Sequence, residues 1–231
     1  MRKPRLRNAP GIFLAILLVG LLGYLLGWSK ALEIKTIEIS AAGNESLVRT
    51  VLVPHDLHIG LPIARVSTSR IKDDLAKFTW VRTIKIDRRW LAHDVKVTIT
   101  ERQAIAQYVD SQGITEYFDS NGHNFITPNP PTGVPVINFA METNQSRSAI
   151  GIFLAQIPTD LTANLTSLSV DLQNQISLTT TVTGFKALHI SWGSVARIPL
   201  KVQVLRKLLT LPENKKVVSV DLSNPLTPTV K

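Results

Sequence analysis

The stretch of sequence that is most informative about the fold is residues 81–101, VRTIKIDRRWLAHDVKVTITE. From Val95 to Thr100, apolar and polar residues alternate strictly, which is typical of a strand with one buried face. Residues 81–86 repeat the apolar pattern less strictly and indicate a preceding strand. The six residues 88–93 lie between these strands and are short enough to connect the two. The segment therefore predicts an antiparallel hairpin.

Three further elements precede the hairpin. Residues 34–39 are extended and apolar, and they end at a turn in which Asn44 is placed to cap a helix. Residues 46–53 have apolar side chains at helical spacing, and Pro54 ends that helix because it lacks an amide donor. Residues 67–78 form a second amphipathic pattern. The predicted order is strand, helix, helix, strand, strand.

Towards the N-terminus, twenty consecutive residues without a charge run from Ala9 to Trp28. A helix of that length rises about 30 Å, which matches the hydrocarbon core of a bilayer. Four basic residues precede this segment, and by the positive-inside rule they place residues 1–8 in the cytoplasm. These topology residues are Arg2, Lys3, Arg5 and Arg7. The segment predicts a single-pass membrane helix with the rest of the chain outside.

A cleaved signal peptide is the alternative, because Ser29-Lys30-Ala31 has a small residue on each side of the lysine. Signal-peptide cores span about 7–15 residues, so this run is too long, and a lysine inside the cleavage triplet is unfavourable. Gly20, Gly23 and Gly27 share one helical face and predict a packing surface for another membrane helix.

Composition excludes several classes of protein. The net charge is +9, but the four basic residues of the tail and Lys30 supply more than half of it, and no basic stripe interleaved with aromatics indicates nucleic-acid binding. There is no cysteine, which excludes disulfides, thiol catalysis and cysteine-ligated metal. The hydrophobic fraction is 44%, as expected of a folded exterior part.

Residues 102–231 contain further predicted strands and helices. Asp119 to Gly122 lies between aromatic residues and indicates a tight hairpin. Residues 148–157 predict a helix, and short apolar segments between residues 168 and 190 predict a curved sheet. Pro199 opens a helix with an apolar stripe, and Lys201 is expected on its outer face.

The first domain resembles a POTRA domain, and the order of five short motifs is similar to that of the FtsQ/DivIB family of bacterial division proteins. Those motifs are Gly43-Asn44, Gly60-x-Pro62, Trp80-Val81, Arg88-x-Trp90 and Glu101-Arg102. Leu91 and Ala104 depart from the family pattern, which has prolines there. The resemblance implies an α+β chain with a cytoplasmic tail (1–8), a transmembrane helix (9–28), a POTRA domain (32–101) and a β domain with flanking helices (102–231).

The resemblance also implies a closing strand at residues 217–222 and a partner site in the last strand, at Leu226 to Lys231. In the family this strand offers an unpaired edge to FtsB, which travels with FtsL. The positions that align with that region are Ser223, Asn224, Leu226, Thr227, Thr229 and Val230. Pro225 and Pro228 each lack an amide donor, so the ordered edge is expected to start near Leu226 and to be short.

No catalytic constellation is present in the sequence. His55-Asp56-x-His58 is the one cluster with metal-ligand character, and without a fourth ligand it is interpreted as solvated loop residues. Nucleophile elbows, zinc-protease helices, P-loops and Rossmann glycines are absent. We therefore expect no enzyme activity, cofactor, metal or small-molecule substrate.

The sequence and the resemblance together predict a divisome scaffold in the bacterial cell membrane, located at the septum. It would recruit FtsB-like and FtsL-like proteins, together with other divisome membrane proteins, and help to regulate peptidoglycan synthesis. The alternative is a POTRA-containing secretion or envelope-assembly module. Against it, no series of alternating barrel strands follows residue 101, and such modules usually repeat.

Overall fold

A computed structural model describes residues 9–28 and 32–231, in two units that divide between Glu101 and Arg102. The elements of the first unit are α1 (Ala9–Trp28), β1 (Thr36–Ser40), α2 (Glu45–Leu52), α3 (Thr68–Leu75), β2 (Val81–Arg89) and β3 (Asp94–Glu101). Short 3-10 turns lie at Val53–His55 and Ile63–Arg65. Strands and helices thus follow the predicted order.

Helix α1 covers the residues for which a helix was predicted. Its side chains are described at positions 11–21, 23 and 24. Within the described part of the chain, no helix has both the length and the apolar character needed to cross a membrane. The basic tail, residues 1–8, lies outside the described residues.

The first unit contains a three-stranded sheet in the order β1-β3-β2. β2 and β3 are antiparallel, which confirms the predicted hairpin, and β1 runs parallel to β3 with Thr36 opposite Asp94. The connection is shorter than expected, because β2 continues to Arg89 and leaves only residues 90–93 for the loop. The alternating valines of β3 are fully buried, as their spacing predicted.

Helices α2 and α3 add Val48, Leu52, Ile71 and Leu75 to this core, all at most 3% exposed. The expected cap is different, because Asn44 precedes α2 without a side-chain capping bond. Instead, its amide group donates to Glu101 Oε1 at 2.8 Å. The residue is buried, and a carboxylate acceptor from the end of β3 satisfies an amide that would otherwise be costly to bury.

The second unit is built from nine strands and three helices. Its strands are β4 (Ala106–Val109), β5 (Thr115–Phe118), β6 (Asn124–Phe125), β7 (Ile137–Phe139), β8 (Leu165–Val170), β9 (Ile176–Val182), β10 (Phe185–Gly193), β11 (Ser219–Asp221) and β12 (Thr229–Val230). Its helices are α4 (Asn144–Gln156), α5 (Thr159–Thr162) and α6 (Ile198–Thr210). Together with the first unit, this confirms the α+β class.

Two sheets make up the second unit. A six-stranded sheet has the order β12-β11-β10-β9-β8-β7, and a three-stranded sheet has the order β4-β5-β6. One apolar core joins the six-stranded sheet to α4 and α6. At its centre Phe153 and Trp192 meet edge to face, with ring centroids 5.2 Å apart. This core fixes the position of α6 next to the β10–β11 end of the sheet.

Helix α4 starts four residues before the predicted helix at 148. Thr143 Oγ1 accepts from the Ser146 amide at 3.0 Å, and Ser146 Oγ accepts from the Thr143 amide at 2.9 Å. This is a capping box, with serine in the place usually held by Glu or Gln. The capping box was not predicted from the sequence because Ser146 does not match the usual Glu or Gln pattern.

A buried tyrosine takes part in side-chain hydrogen bonds that link the strands of the three-stranded sheet. Tyr108 on β4 donates to Glu116 Oε2 on β5 at 2.5 Å, and Asn124 Nδ2 donates to the same oxygen at 2.7 Å. Burial and the hydrogen bond to the Glu116 carboxylate raise the pKa of Tyr108 from 10.0 to about 12. The neutral phenol is therefore the form that suits the fold.

Candidate functional site

The last strand is an open edge of the six-stranded sheet. β12 pairs antiparallel with β11, with Val230 opposite Val220 and Thr229 opposite Asp221. On its other side no described strand pairs with it. An edge of this kind leaves backbone donors and acceptors available for another strand.

The hydrogen-bond pattern shows which backbone groups point outward. Lys231 N–H donates to Ser219 O at 2.9 Å, and Lys231 O accepts from Ser219 N–H at 3.0 Å, so the backbone of Lys231 faces β11. In an antiparallel pair, successive residues face alternate sides. The N–H and C=O of Val230 therefore face outward, together with the carbonyl of Pro228. Within β12, Val230 supplies the one outward amide donor.

The strand begins later than expected, at Thr229 rather than near Leu226. Asn224 causes this difference, because its side chain accepts from Leu226 N–H at 3.2 Å and donates to Thr227 Oγ1 at 2.9 Å. Thr227 N–H also donates to Asn224 O. These bonds hold residues 224–227 in a turn, since Asn side chains favour local backbone bonds.

A close contact with β10 positions this turn. Gly193 has φ +76°, and a Cβ atom built on it would lie 2.9 Å from Ser223 Cα. Ser223 N–H in turn donates to Asp221 Oδ1 at 2.8 Å. Leu222 N–H donates to Ser191 O at 2.8 Å, which fixes the preceding residue to the same strand. Glycine at position 193 therefore allows the turn to lie directly against the sheet.

A buried lysine supports the end of β10, and the expectation that Lys201 lies on the outer face of α6 is wrong. The residue is 1% exposed, and its Nζ donates to the carbonyl oxygens of Trp192 at 2.6 Å and Ser194 at 2.9 Å. Burial lowers the pKa of the Lys201 ammonium, and the negative charge of Asp221 opposes that shift. Helical spacing could not reveal this role, since the carbonyls that hold the ammonium belong to Trp192 near the end of β10 and to Ser194 just after it.

The six predicted partner residues lie in one continuous surface segment. Ser223, Asn224, Leu226, Thr227, Thr229 and Val230 are all exposed. Leu226 is 70% exposed and Val230 37%, so the segment offers apolar side chains beside the open backbone edge. Val218 lies beside this edge but was not among the predicted partner residues. It is 65% exposed, and its backbone N–H donates to Lys231 O. The predicted strand at residues 217–222 included Val218, but β11 starts only at Ser219.

The remaining predicted residues are not brought together with one another in the part of the chain that is described. At Gly20 and Gly23 an added Cβ atom would meet nothing within 4 Å, while Gly27 and the basic residues of the tail fall outside the described side chains. His55 Nε2 lies 2.8 Å from Asp74 Oδ2, and its side chain is only 10% exposed, so it is not the solvated residue that we expected. Among the described residues no group of three potential ligands could hold a metal ion.

Comparison with known proteins places both units in context. Residues 32–102 match the family model for the POTRA domain, FtsQ-type. The chain is 24% identical over 226 residues to the cell division protein FtsQ of Mycobacteroides abscessus, 27% over 216 residues to that of Mycobacterium leprae and 25% over 209 residues to that of Salinibacter ruber.

These similarities cover 95%, 91% and 83% of this chain. They cover 68%, 59% and 77% of the respective relatives, so the chain spans less than two thirds of the Mycobacterium leprae protein. The POTRA match and the similarity along most of the chain confirm the predicted resemblance. The chain thus resembles the FtsQ/DivIB family of cell division proteins over most of its length.

Proposed function

We propose that this protein is a non-catalytic divisome scaffold that binds an FtsB-like partner by strand addition at β12, and an FtsL-like protein through that partner. The observation that carries the proposal is the outward edge of β12, where Val230 offers a donor and an acceptor beside exposed Leu226 and Val218. Strand addition uses main-chain hydrogen bonds for affinity and side-chain contacts for selectivity.

The proposal includes a membrane anchor at residues 9–28, a cytoplasmic tail at 1–8, a POTRA domain at 32–101 and an FtsQ-type β domain at 102–231. The uncharged run and the basic tail before it support this topology. Residues beyond the anchor would then lie outside the cell membrane at the septum. Confinement to one membrane raises the effective concentration of membrane-bound partners, so a short edge suffices. Helix packing at Gly20, Gly23 and Gly27 stays a prediction.

The role of the scaffold would be to collect its partners and so help to regulate septal peptidoglycan synthesis. The printed names of the relatives, cell division protein FtsQ, support a role in division. Depletion of the protein should therefore give undivided filaments with intact envelopes. Normal division after depletion would contradict the proposal.

Two substitutions with opposite expected effects test the edge. Val230→Pro removes the outward donor but leaves the Lys231 bonds to β11, and Pro228→Ala adds an outward donor. One hydrogen bond is worth about 0.5–1.5 kcal/mol, or roughly 2- to 13-fold in affinity. We expect Val230→Pro to weaken, and Pro228→Ala to strengthen, recovery of an FtsB-like protein in a membrane pull-down with the full chain.

Val230→Ala is the matched control, because it removes the side chain and keeps the amide. If Val230→Pro and Val230→Ala weaken recovery equally, the backbone edge does not bind the partner. If neither proline change alters recovery, strand addition at β12 is wrong.

A further inference from the structure

Two loops of the first unit are hydrogen-bonded to residues 33–36, the segment that follows the proposed anchor. On one side of residues 33–36, Ile34 N–H donates to Leu61 O at 2.9 Å and Ile34 O accepts from Gly60 N–H at 2.8 Å. On the other side, Lys35 N–H donates to His93 O at 2.7 Å. The segment therefore lies between the loop around Gly60 and the β2–β3 loop.

Both loops expose apolar side chains beside these fastening points. Leu91 is 97% exposed and lies two residues before His93, while Ile59 is 68% exposed and precedes Gly60. Trp90 is half-buried, and the Arg88 guanidinium lies 5.8 Å from the centroid of its ring. A single exposed apolar residue is ordinary, but here two loops carry them to the same end of the sheet. We call Ile59, Trp90 and Leu91 the anchor-proximal cluster.

Charges around the cluster are compatible with a lipid surface. Arg89 is held by Glu38 at 3.0 Å and Asp94 at 2.6 Å, whereas Arg88 lies over Trp90. Tryptophan favours the headgroup level of membranes, and arginine pairs well with phosphate oxygens. The acidic side chain on the Ile59 loop, Asp56, has His58 Nδ1 3.2 Å from its carboxylate.

Chain length limits how far this end can be from the bilayer. Trp28, the last residue of α1, and Glu33 are five residue steps apart in the sequence. A fully extended chain spans at most about 3.6 Å per residue, so these five reach no more than about 18 Å. The cluster is therefore tethered close to the membrane, where even weak contacts with lipid are favoured by high effective concentration.

We propose that the anchor-proximal cluster, Ile59, Trp90 and Leu91, rests on the outer surface of the lipid bilayer and orients the first unit there. This inference rests on the membrane anchor of the proposed function. It adds a second lipid contact, made by two loops that are separated in sequence but are fastened to one segment. Leu91 and Ile59 would contact the acyl boundary, with Trp90 and Arg88 at the headgroups.

The full chain, which has no cysteine of its own, allows a clean test with one introduced label. Ala92→Cys is exposed and next to Leu91, and Thr83→Cys is an exposed control on β2. Thr83 is six residue steps from Arg89 along β2, which is about 20 Å. Each variant is labelled with a polarity-sensitive fluorophore and reconstituted into vesicles of phosphatidylethanolamine and phosphatidylglycerol.

We expect the label at position 92 to emit at shorter wavelength and to be quenched by lipids that carry a nitroxide, and the label at position 83 to show neither effect. Adding Ile59→Ser and Leu91→Ser should return the signal at position 92 to that at position 83. Equal signals at positions 92 and 83 before these changes, in vesicles that keep the protein through an alkaline carbonate wash, would overturn the inference alone.

If the wash removes the protein, the anchor itself is wrong, and this inference fails with it. A shift at position 92 that appears only when a protein partner is added would also overturn the inference, because the cluster would then bind protein. Recovery of an FtsB-like protein by the same samples shows separately whether the β12 edge functions.

Discussion

Gly193→Ala should loosen the segment that carries the candidate partner site. At φ +76° an alanine is strained by roughly 1–2 kcal/mol, since L residues rarely adopt this conformation. Its Cβ atom would also lie 2.9 Å from Ser223 Cα, so the backbone of the turn must move. Overpacking of this kind costs about 1–3 kcal/mol more.

Gly184→Ala is the matched control on the β9–β10 turn of the same sheet. Its φ is +90°, but an added Cβ atom would meet nothing within 4 Å. The two alanines share the backbone strain, and only the one at position 193 displaces Ser223. The difference between the variants isolates the contact and corresponds to about a 5- to 150-fold change in the local opening equilibrium.

Amide hydrogen exchange of the full chain in detergent micelles measures that equilibrium. The informative amides are Leu222, which bonds to Ser191, and Ser219, which bonds to Lys231. We expect faster exchange at both in Gly193→Ala than in Gly184→Ala, together with weaker binding of an FtsB-like peptide. Equal exchange in the two variants would refute the reasoning, because the turn would then not depend on its contact with β10.

Two further predictions concern the stability of the second unit. Because the pKa of Tyr108 is raised to about 12, its contribution to the free energy of unfolding is present below pH 10.0 and is lost as the pH rises through about 12. Tyr108→Phe should remove that pH dependence, and the difference in phenolate absorbance between wild type and variant should appear near pH 12. A difference in absorbance that is already complete at pH 10 would contradict this prediction. Thr143→Ala should cost about 1 kcal/mol by removing the acceptor for the Ser146 amide, as measured by denaturant unfolding, while Thr143→Ser should keep most of it. Equal losses in the alanine and serine variants would show that the cap bond is not the cause.

The sequence predicted the elements whose periodicity is set by one buried face. The alternation at Val95 to Thr100 and the helical spacing of α2 and α3 each follow from a face packed on the core. The same reasoning placed Lys201 outside α6, because it assumes that a charged residue stays in water. Two carbonyl oxygens beside Trp192 make burial of this ammonium acceptable, and no spacing along α6 reveals them.

The candidate site was located by resemblance to the family, but its backbone geometry could not be predicted from the sequence. The prolines correctly indicated a short edge, but the start of β12 depends on the bonds of the Asn224 side chain. The backbone of Val230 points outward because the next residue, Lys231, forms its hydrogen bonds with Ser219. Pairing between residues this close to a strand end is decided by a few hydrogen bonds, which leave no periodic pattern in the sequence.

The parallel pairing of β1 with β3 has a consequence for the order of events during synthesis. The ribosome produces Thr36 long before Asp94, yet these residues face each other in the finished sheet. β1 must therefore wait, with its backbone groups solvated, until the residues of the β2–β3 hairpin have been synthesised. The hairpin, whose contacts are local, is expected to form first and to serve as the template onto which β1 pairs. Folding of the first unit would thus finish at the strand nearest the proposed anchor, although that strand is the first to be made.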